Sequence, residues 1–326
     1  MENNKKLEML PNENMNTAYD DVFRTILNDC PELIIPLVNE IFQTNYSTEE
    51  KVILYNNEFF LTQQQGEQIK RITDSNFEIR NTQYHLECQS TQDGTMVIRI
   101  FEYDTQIALK NSKLEDGELT VYFPRTAVLY LRHNKQTPDY LQITIHVPGD
   151  SCSYKIPTLK VKQYTIEEIF EKELLFLIPF HIFVYEKQFK LYDNNEEKLE
   201  QLKKVYIDIR NRLEVCVKKE QITEYIKSTI IDMSEKVLRQ IARNYSNVEK
   251  GIGDVMGGKI LEYEAKTILN QGRIQGIEEG TVKGKLLEFL QTVENLQKNL
   301  KLSLEDALKA MGKTMEDYEN AKRVVK

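Results

Sequence analysis

The chain has 326 residues, of which 40% are hydrophobic and 29% charged. This composition is typical of a folded globular protein, and the length predicts roughly two domains. The formal net charge of −8 excludes a protein that attracts nucleic acid through an overall basic field, so any nucleic-acid contact would need a local basic cleft.

The four cysteines lie far apart in the sequence and form no CxxC pair. This spacing argues against a zinc knot and a dense disulfide framework, and unpaired thiols fit a reducing compartment. The first residues are polar, and the longest apolar stretch, near 173–185, is too short to cross a bilayer. We therefore expect a cytoplasmic protein without a membrane partner.

Residues 1–16 are rich in Asn and Glu and predict a flexible tail. Apolar residues at helical spacing then predict one helix from Tyr19 towards Pro31 and a second that ends near Phe42. Short segments rich in β-branched and aromatic residues follow, interrupted by a predicted helix from about Thr95 to Lys110. This order predicts a mixed α/β domain over residues 17–190. The predicted strands are Lys51–Tyr55, Asn76–Arg80, Tyr84–Gln89, Ala127–Leu131 and Leu141–Val147.

Helices dominate the sequence after Tyr164. The segment Thr165-Ile-Glu-Glu168 has the pattern of a capping box, in which a hydroxyl and a carboxylate bind backbone amides at the start of a helix. Apolar residues between 199 and 241 recur every three or four positions, which predicts amphipathic helices. We expect a helical region over residues 191–268.

Residues 269–326 form a tail with glycine at four regularly spaced positions, Gly272, Gly276, Gly280 and Gly284. On a helix these glycines would form one stripe without side chains, at a cost of about 1 kcal/mol each relative to alanine. Close helix–helix approach would offset that cost, so a homo-oligomer through the C-terminal helices is one interpretation. A frayed tail is the other. Ser303-Leu-Glu-Asp306 predicts the start of a further short helix.

A hairpin between residues 72 and 89 carries the pattern most relevant to chemistry. With a turn at Asn81-Thr82, Glu78 would face His85 and Asp74 would face Gln89. Because side chains alternate across a strand, one face would be polar and the other apolar. The polar face would hold Asp74, Asn76, Glu78, His85, Glu87 and Gln89.

The carboxylates of Asp74 and Glu87 would lie diagonally across this hairpin, with their Cβ atoms about 7–8 Å apart. Converging carboxylates repel each other, and Mg²⁺ would relieve the repulsion because it binds carboxylate oxygens, waters and substrate phosphates. From the pattern alone, a solvent-exposed hairpin is the favoured interpretation, because alternation is common in antiparallel sheets. A register slip of one residue would also reverse the two faces.

The same residues resemble the signature of the PD-(D/E)XK nuclease superfamily, since Asp74 is followed after a short hairpin by Glu87-Cys88-Gln89. More specifically, the chain resembles the Rpn family of recombination-promoting nucleases and transposases. The resemblance runs from about Tyr19 to the end of the chain. It implies a restriction-endonuclease-like core, a mixed sheet flanked by helices, before a helical C-terminal region. The other matching segments are Asp20-Asp-Val-Phe-Arg24, His85-Leu-Glu-Cys-Gln-Ser90, Met96-Val-Ile-Arg-Ile-Phe-Glu-Tyr103 and Gly257-Gly-Lys-Ile-Leu-Glu262.

The resemblance implies that Asp74 and Glu87 are catalytic acids that bind Mg²⁺ or Mn²⁺. Gln89 occupies the position of a lysine that would position the attacking water or stabilise the charged transition state. Glutamine brings no positive charge, so this departure puts the rate of reaction in question. Asp20 is a further candidate catalytic acid, although the helix dipole also favours an acidic residue at a helix N-terminus.

Four residues are candidates for binding the substrate. The resemblance implies a site-supporting or phosphate-facing role for Arg99 and Tyr103; the alternative is a solvated helix face with Tyr103 partly in the core. Lys70 and Arg71 are candidates for contacting DNA phosphates, which need cations but carry no sequence code. His85 is interpreted as a structural neighbour of the acids rather than a metal ligand.

We therefore expect a Mg²⁺-dependent DNA endonuclease that hydrolyses phosphodiester bonds with water as the nucleophile. The resemblance links it to DNA recombination or mobile elements. The first alternative is a catalytically degenerate nuclease fold that binds DNA or a protein, which Gln89 and the acidic net charge favour. The second is an oligomeric scaffold built on the glycine-rich tail.

Overall fold

The computed structural model describes residues 18–55, 58–62, 68–90, 94–257, 286–287, 289–294, 296–297 and 301–325, with the backbone alone at 18, 58–62, 68–72, 257, 316, 324 and 325. The chain forms two compact units that divide after Gly258. The predicted tail 1–16 and the glycine repeat of 272–284 lie outside the described residues.

A six-stranded mixed sheet forms the centre of the first unit. In spatial order its strands are β1 (Val52–Leu54), β4 (Phe77–Ile79), β5 (Thr82–Gln89), β8 (Arg125–Tyr130), β10 (Asp150–Lys160) and β9 (Tyr140–Val147). β5, β8 and β10 run parallel to one another, and the outer pairs are antiparallel. Two further hairpins form separate sheets: β2–β3 (Glu58–Thr62 with Gln68–Ile72) and β6–β7 (Lys113–Glu115 with Glu118–Thr120).

Helices cover both faces of this sheet. α1 (Ala18–Asp29) and α2 (Ile34–Phe42) share one apolar core with a 3-10 segment, Leu175–Val184, and with the later helices. On the other face, α3 (Met96–Lys110) packs through Met96 and Ile100 against residues of β8, β9 and β10. The later helices are α4 (Ile166–Glu171), α5 (Phe189–Asp193), α6 (Glu196–Lys218), α7 (Glu224–Ile241) and α8 (Ser246–Gly257).

Local sequence signals explain where several of these elements begin. The predicted capping box is confirmed: the Thr165 hydroxyl accepts from the amide of Glu168, whose carboxylate accepts from the amide of Thr165. The predicted strands and the helix near 95–110 are also present, within a few residues. The pattern missed β10 and the two small hairpins, β2–β3 and β6–β7. Much of β10 is polar and exposed, which hides it in the sequence, although it forms a hairpin with β9, the strand directly before it.

In its described part, the second unit is helical at residues 286–287, 289–294 and 296–297, and two short helices follow, Leu304–Ala310 and Met315–Val325. The predicted cap is confirmed, since the Ser303 hydroxyl accepts from the amide of Asp306 at 3.1 Å. A small core of Val293, Ala307 and Leu308 holds this unit together. None of the described helices in either unit has the length and apolar character needed to cross a membrane.

Candidate active site

The β4–β5 hairpin turns at Arg80-Asn81, one residue earlier than predicted. Both residues have positive φ, 47° and 63°, the combination that a two-residue type I′ turn requires. Glu78 therefore pairs with Gln83 and not, as predicted, with His85. The predicted partners are wrong by two positions along the whole hairpin. Because the shift is even, every side chain keeps its predicted face.

Just before β4 begins, side chains take the place of the backbone hydrogen bonds between this segment and β5. The Ser75 hydroxyl accepts from the amide of Leu86 at 2.7 Å and donates to its carbonyl at 2.8 Å. Next to it, Oδ2 of Asp74 accepts from the amide of Cys88 at 2.9 Å, and the amide of Asp74 donates to Oε1 of Glu87 at 3.3 Å. The structure therefore brings the two acids of the predicted metal site together, and both are buried.

Three acidic groups act on one another at this point. Burial raises the pKa of the Asp74 carboxyl well above its usual range, and the negative charges of Glu87 and Asp20 raise it further; the Cys88 amide and Arg24 oppose them. Burial also raises the pKa of the Cys88 thiol, and the negative charges of Asp74, Asp20 and Glu87 raise it further. The negative charge of Asp20, on α1, therefore acts at the site, and its role as a third acid stays a prediction.

Glu87 belongs to a buried hydrogen-bonded network with His85 and Asp104. Nε2 of His85 lies 2.9 Å from Oε1 of Glu87, and its Nδ1 lies 2.7 Å from Oδ1 of Asp104. Burial by itself lowers the pKa of His85, but the hydrogen bonds to Asp104 and Glu87 outweigh it and raise the pKa to about 10. An imidazolium donates from both nitrogens, so His85 links the two carboxylates. The Thr126 hydroxyl completes the network by donating to Asp104 at 2.7 Å.

Gln89 and Arg99 meet at the edge of the site. Nη2 of Arg99, in the first turn of α3, donates to Oε1 of Gln89 at 3.0 Å. The chain thus places a guanidinium directly beside Gln89. Tyr103 is buried instead, with its ring edge-on to His85 at 5.9 Å between centroids. It faces the buried network rather than the solvent.

Lys70 and Arg71 lie on β3, where their backbones pair with Phe60 and Phe59. Their side chains lie outside the described residues, so their phosphate-binding role stays a prediction.

Asp104, Thr126 and Arg24 are not among the site residues predicted from the sequence. A detectable signal was present for Asp104, because it falls on the apolar face of the predicted helix between Ile100 and Ile107, where an acid needs a partner. Arg24 was quoted only as part of a family motif. Its guanidinium lowers the pKa of Asp74, and its buried Nη2 forms no hydrogen bond with any residue that the structure describes.

The acids suit a hard cation that keeps most of its water. No group of three or more His, Cys, Asp or Glu side chains among the described residues is arranged to hold a metal ion. Mg²⁺ commonly uses only one or two protein carboxylates, with waters and phosphates as the remaining ligands. Within the described chain, Asp74 and Glu87 each use one oxygen in hydrogen bonds, Oδ2 and Oε1. Their other oxygens fit that requirement.

No protein-family model, curated protein or solved structure matches the chain. The geometry of the carboxylates and their neighbours is therefore the basis for proposing a function.

Proposed function

We propose that the protein is a metal-dependent DNA endonuclease of the PD-(D/E)XK type. The observation that supports this most directly is the convergence of Asp74 and Glu87, with the charge of Asp20 acting on Asp74, beside a mixed sheet flanked by helices. The resemblance to the Rpn family adds a proposed link to DNA recombination or mobile elements.

Asp74 and Glu87 would hold Mg²⁺ or Mn²⁺. When bound, the ion supplies Lewis acidity at the phosphate and a lowered pKa for a water molecule. The protein holds the acids in place through rigid contacts: a backbone amide fixes Asp74, and His85 fixes Glu87. The raised pKa of Asp74 supports the assignment, because mutual repulsion of buried acids is what a cation would relieve.

Arg99 would provide the positive charge that Gln89 lacks. A guanidinium is a permanent cation whose planar fork matches phosphate oxygens. Its hydrogen bond to Gln89 fixes the direction of the glutamine amide beside Glu87. We infer that Arg99 stabilises charge on the phosphate, while Gln89 holds Arg99 in position.

A supercoiled-plasmid assay with full-length protein tests the proposal. We expect nicking in Mg²⁺ but not in EDTA, and we expect Glu87→Gln and Asp74→Asn to lower it to the EDTA level. Glu78→Gln is the matched control, because it removes the same charge from the same hairpin face, where Glu78 accepts from the Tyr55 hydroxyl at 2.8 Å. Wild-type nicking by a folded Glu87→Gln variant would overturn the site assignment.

A catalytically degenerate fold that binds DNA or a protein is the second candidate, and glutamine at the lysine position favours it. It predicts that wild-type protein binds DNA without Mg²⁺-stimulated nicking. Variants of Arg99 distinguish the two proposed functions. If the protein is a nuclease, Arg99→Ala lowers the rate of nicking and Arg99→Lys restores part of it.

A further inference from the structure

A group of cations lies at the carboxyl ends of the three parallel strands, beside the candidate active site. The strand register places Gln89, Tyr130 and Lys160 in one row, and β5, β8 and β10 all end in that row. The chain continues into basic residues after β8 and β10, and a neighbouring 3-10 turn, Glu186–Gln188, adds one more. We call this group the strand-end cluster; it consists of Arg132, His133, Lys160, Lys162 and Lys187.

The charges of this cluster act on one another. Burial lowers the pKa of His133, and the positive charges of Lys160, Lys162 and Lys187 lower it further. Burial also lowers the pKa of Lys162, where Glu186 opposes the effect and Lys187 adds to it. The cluster therefore has a positive local field within a chain whose net charge is −8.

The acidic residues nearby compensate only part of this charge. Glu186 binds Arg132 through two hydrogen bonds of 2.7 and 2.5 Å. Lys160 lies 2.6 Å from the carboxylate of an exposed aspartate. Lys162 and Lys187 form no hydrogen bond or ion pair with any residue in the described part of the chain. Two cations thus remain available for an anion.

Arg132 connects the strand-end cluster to the active site. Its Nη1 donates at 3.3 Å to the carbonyl of Ser90, the residue after Gln89. Its guanidinium also lies 5.6 Å from the ring centre of Tyr19, the residue before Asp20. Arg132 therefore links the strand-end cluster to the segments that carry Gln89 and Asp20.

We infer that the strand-end cluster binds the phosphodiester backbone of DNA next to the bond that is cut. Two strand spacings separate β5 from β10, or about 10 Å. One DNA strand carries a phosphate per roughly 3.4 Å of helix axis, so the row spans about three phosphates. Contacts between lysine and phosphate carry no sequence code, so the cluster would give affinity without sequence preference. The choice of DNA as the ligand rests on the proposed function.

The test measures DNA binding without cleavage. Full-length protein is titrated into a short fluorescein-labelled duplex in EDTA, over a series of salt concentrations, and anisotropy is recorded. We expect the double variant Lys162→Ala/Lys187→Ala to lower the slope of log affinity against log salt by about two, and to weaken binding at least about tenfold at 0.1 M salt. The control is Lys204→Ala/Lys218→Ala, which removes the same charge from exposed positions on α6 and should match wild type.

Unchanged affinity in the first double variant, or an equal loss in both, overturns the inference. Poly-glutamate that competes as well as unlabelled duplex of equal charge also overturns it, in favour of an acidic protein partner. Because no metal is present, the result is independent of the nicking assay. Weakened binding together with wild-type nicking by Glu87→Gln would support the cluster while rejecting the proposed catalytic site.

Discussion

Two buried histidines, in two regions of this protein, have pKa values shifted in opposite directions. His85 lies behind the candidate active site and His181 lies in the apolar 3-10 segment; they are 0% and 2% exposed. Hydrogen bonds to two carboxylates outweigh burial and raise the pKa of His85 to about 10. Nδ1 of His181 has no hydrogen-bond partner in the described chain, and burial lowers its pKa to about 4. Equal burial therefore gives opposite charge states, and the neighbouring groups decide between them.

The surroundings of His181 are apolar and pack closely, whereas those of His85 hold buried charges. Taking ions out of water costs several kcal/mol each, and mutual attraction often does no more than offset that cost. A buried network such as Glu87–His85–Asp104 is thus weak evidence for stability. Its position directly behind the candidate metal ligands fits a functional demand.

The largest effect is expected from Asp104→Ala. Removing one partner from a buried charge network leaves the other uncompensated, so the free energy of unfolding should fall by about 3–5 kcal/mol. Urea denaturation at pH 7 measures it. Asp104→Asn is the control, because its amide oxygen can still accept from His85 and Thr126, and it should lose less. A loss under about 1 kcal/mol in the alanine variant would contradict a charged network.

His181 is expected to lower the free energy of unfolding by about 3 kcal/mol at low pH. An unfolded histidine titrates near pH 6.5, whereas His181 in the fold titrates at about 4. Between these values the unfolded state binds a proton that the folded state excludes, so stability is full above pH 6.5 and falls as pH drops towards 4. His181→Phe should remove about 3 kcal/mol of that pH dependence at pH 4. The exposed His146 provides the control, since His146→Phe should follow the wild-type profile in urea melts.

The smallest expected effect is a change in Mn²⁺ affinity, and it distinguishes the roles of the two ring nitrogens of His85. In His85→Gln the amide nitrogen can replace Nε2 and keep the contact with Glu87; in His85→Asn it can replace Nδ1 and keep only the contact with Asp104. Groups that orient a metal ligand are worth about 10–100-fold in affinity. Calorimetric titration with Mn²⁺ should therefore show that loss for His85→Asn and a smaller one for His85→Gln. Equal affinities in the two variants would mean that the bond to Glu87 does not position a ligand.

The sequence predicted the composition of the hairpin faces but not the hairpin register. Face membership depends on a period of two, which the shift of two residues preserved. The turn was missed because Arg80 adopts positive φ without the glycine that usually marks a type I′ turn. Asp104 lay on a correctly predicted helix, but its partner His85 is 19 residues away in the sequence. Periodicity carries no information about such pairs.

The sequence by itself determined the elements whose causes are local. The caps at Thr165 and Ser303 and the helix near 95–110 follow from interactions within a few residues. The shared face of Asp74 and Glu87 follows from the two-residue period of a strand. The tertiary structure alone decided that Asp20 on α1 acts on Asp74, that Arg99 reaches Gln89, and that β5, β8 and β10 end in one row beside a group of cations. Those arrangements depend on parallel strand pairing and on helices packing across the sheet, which bring together residues far apart in the chain.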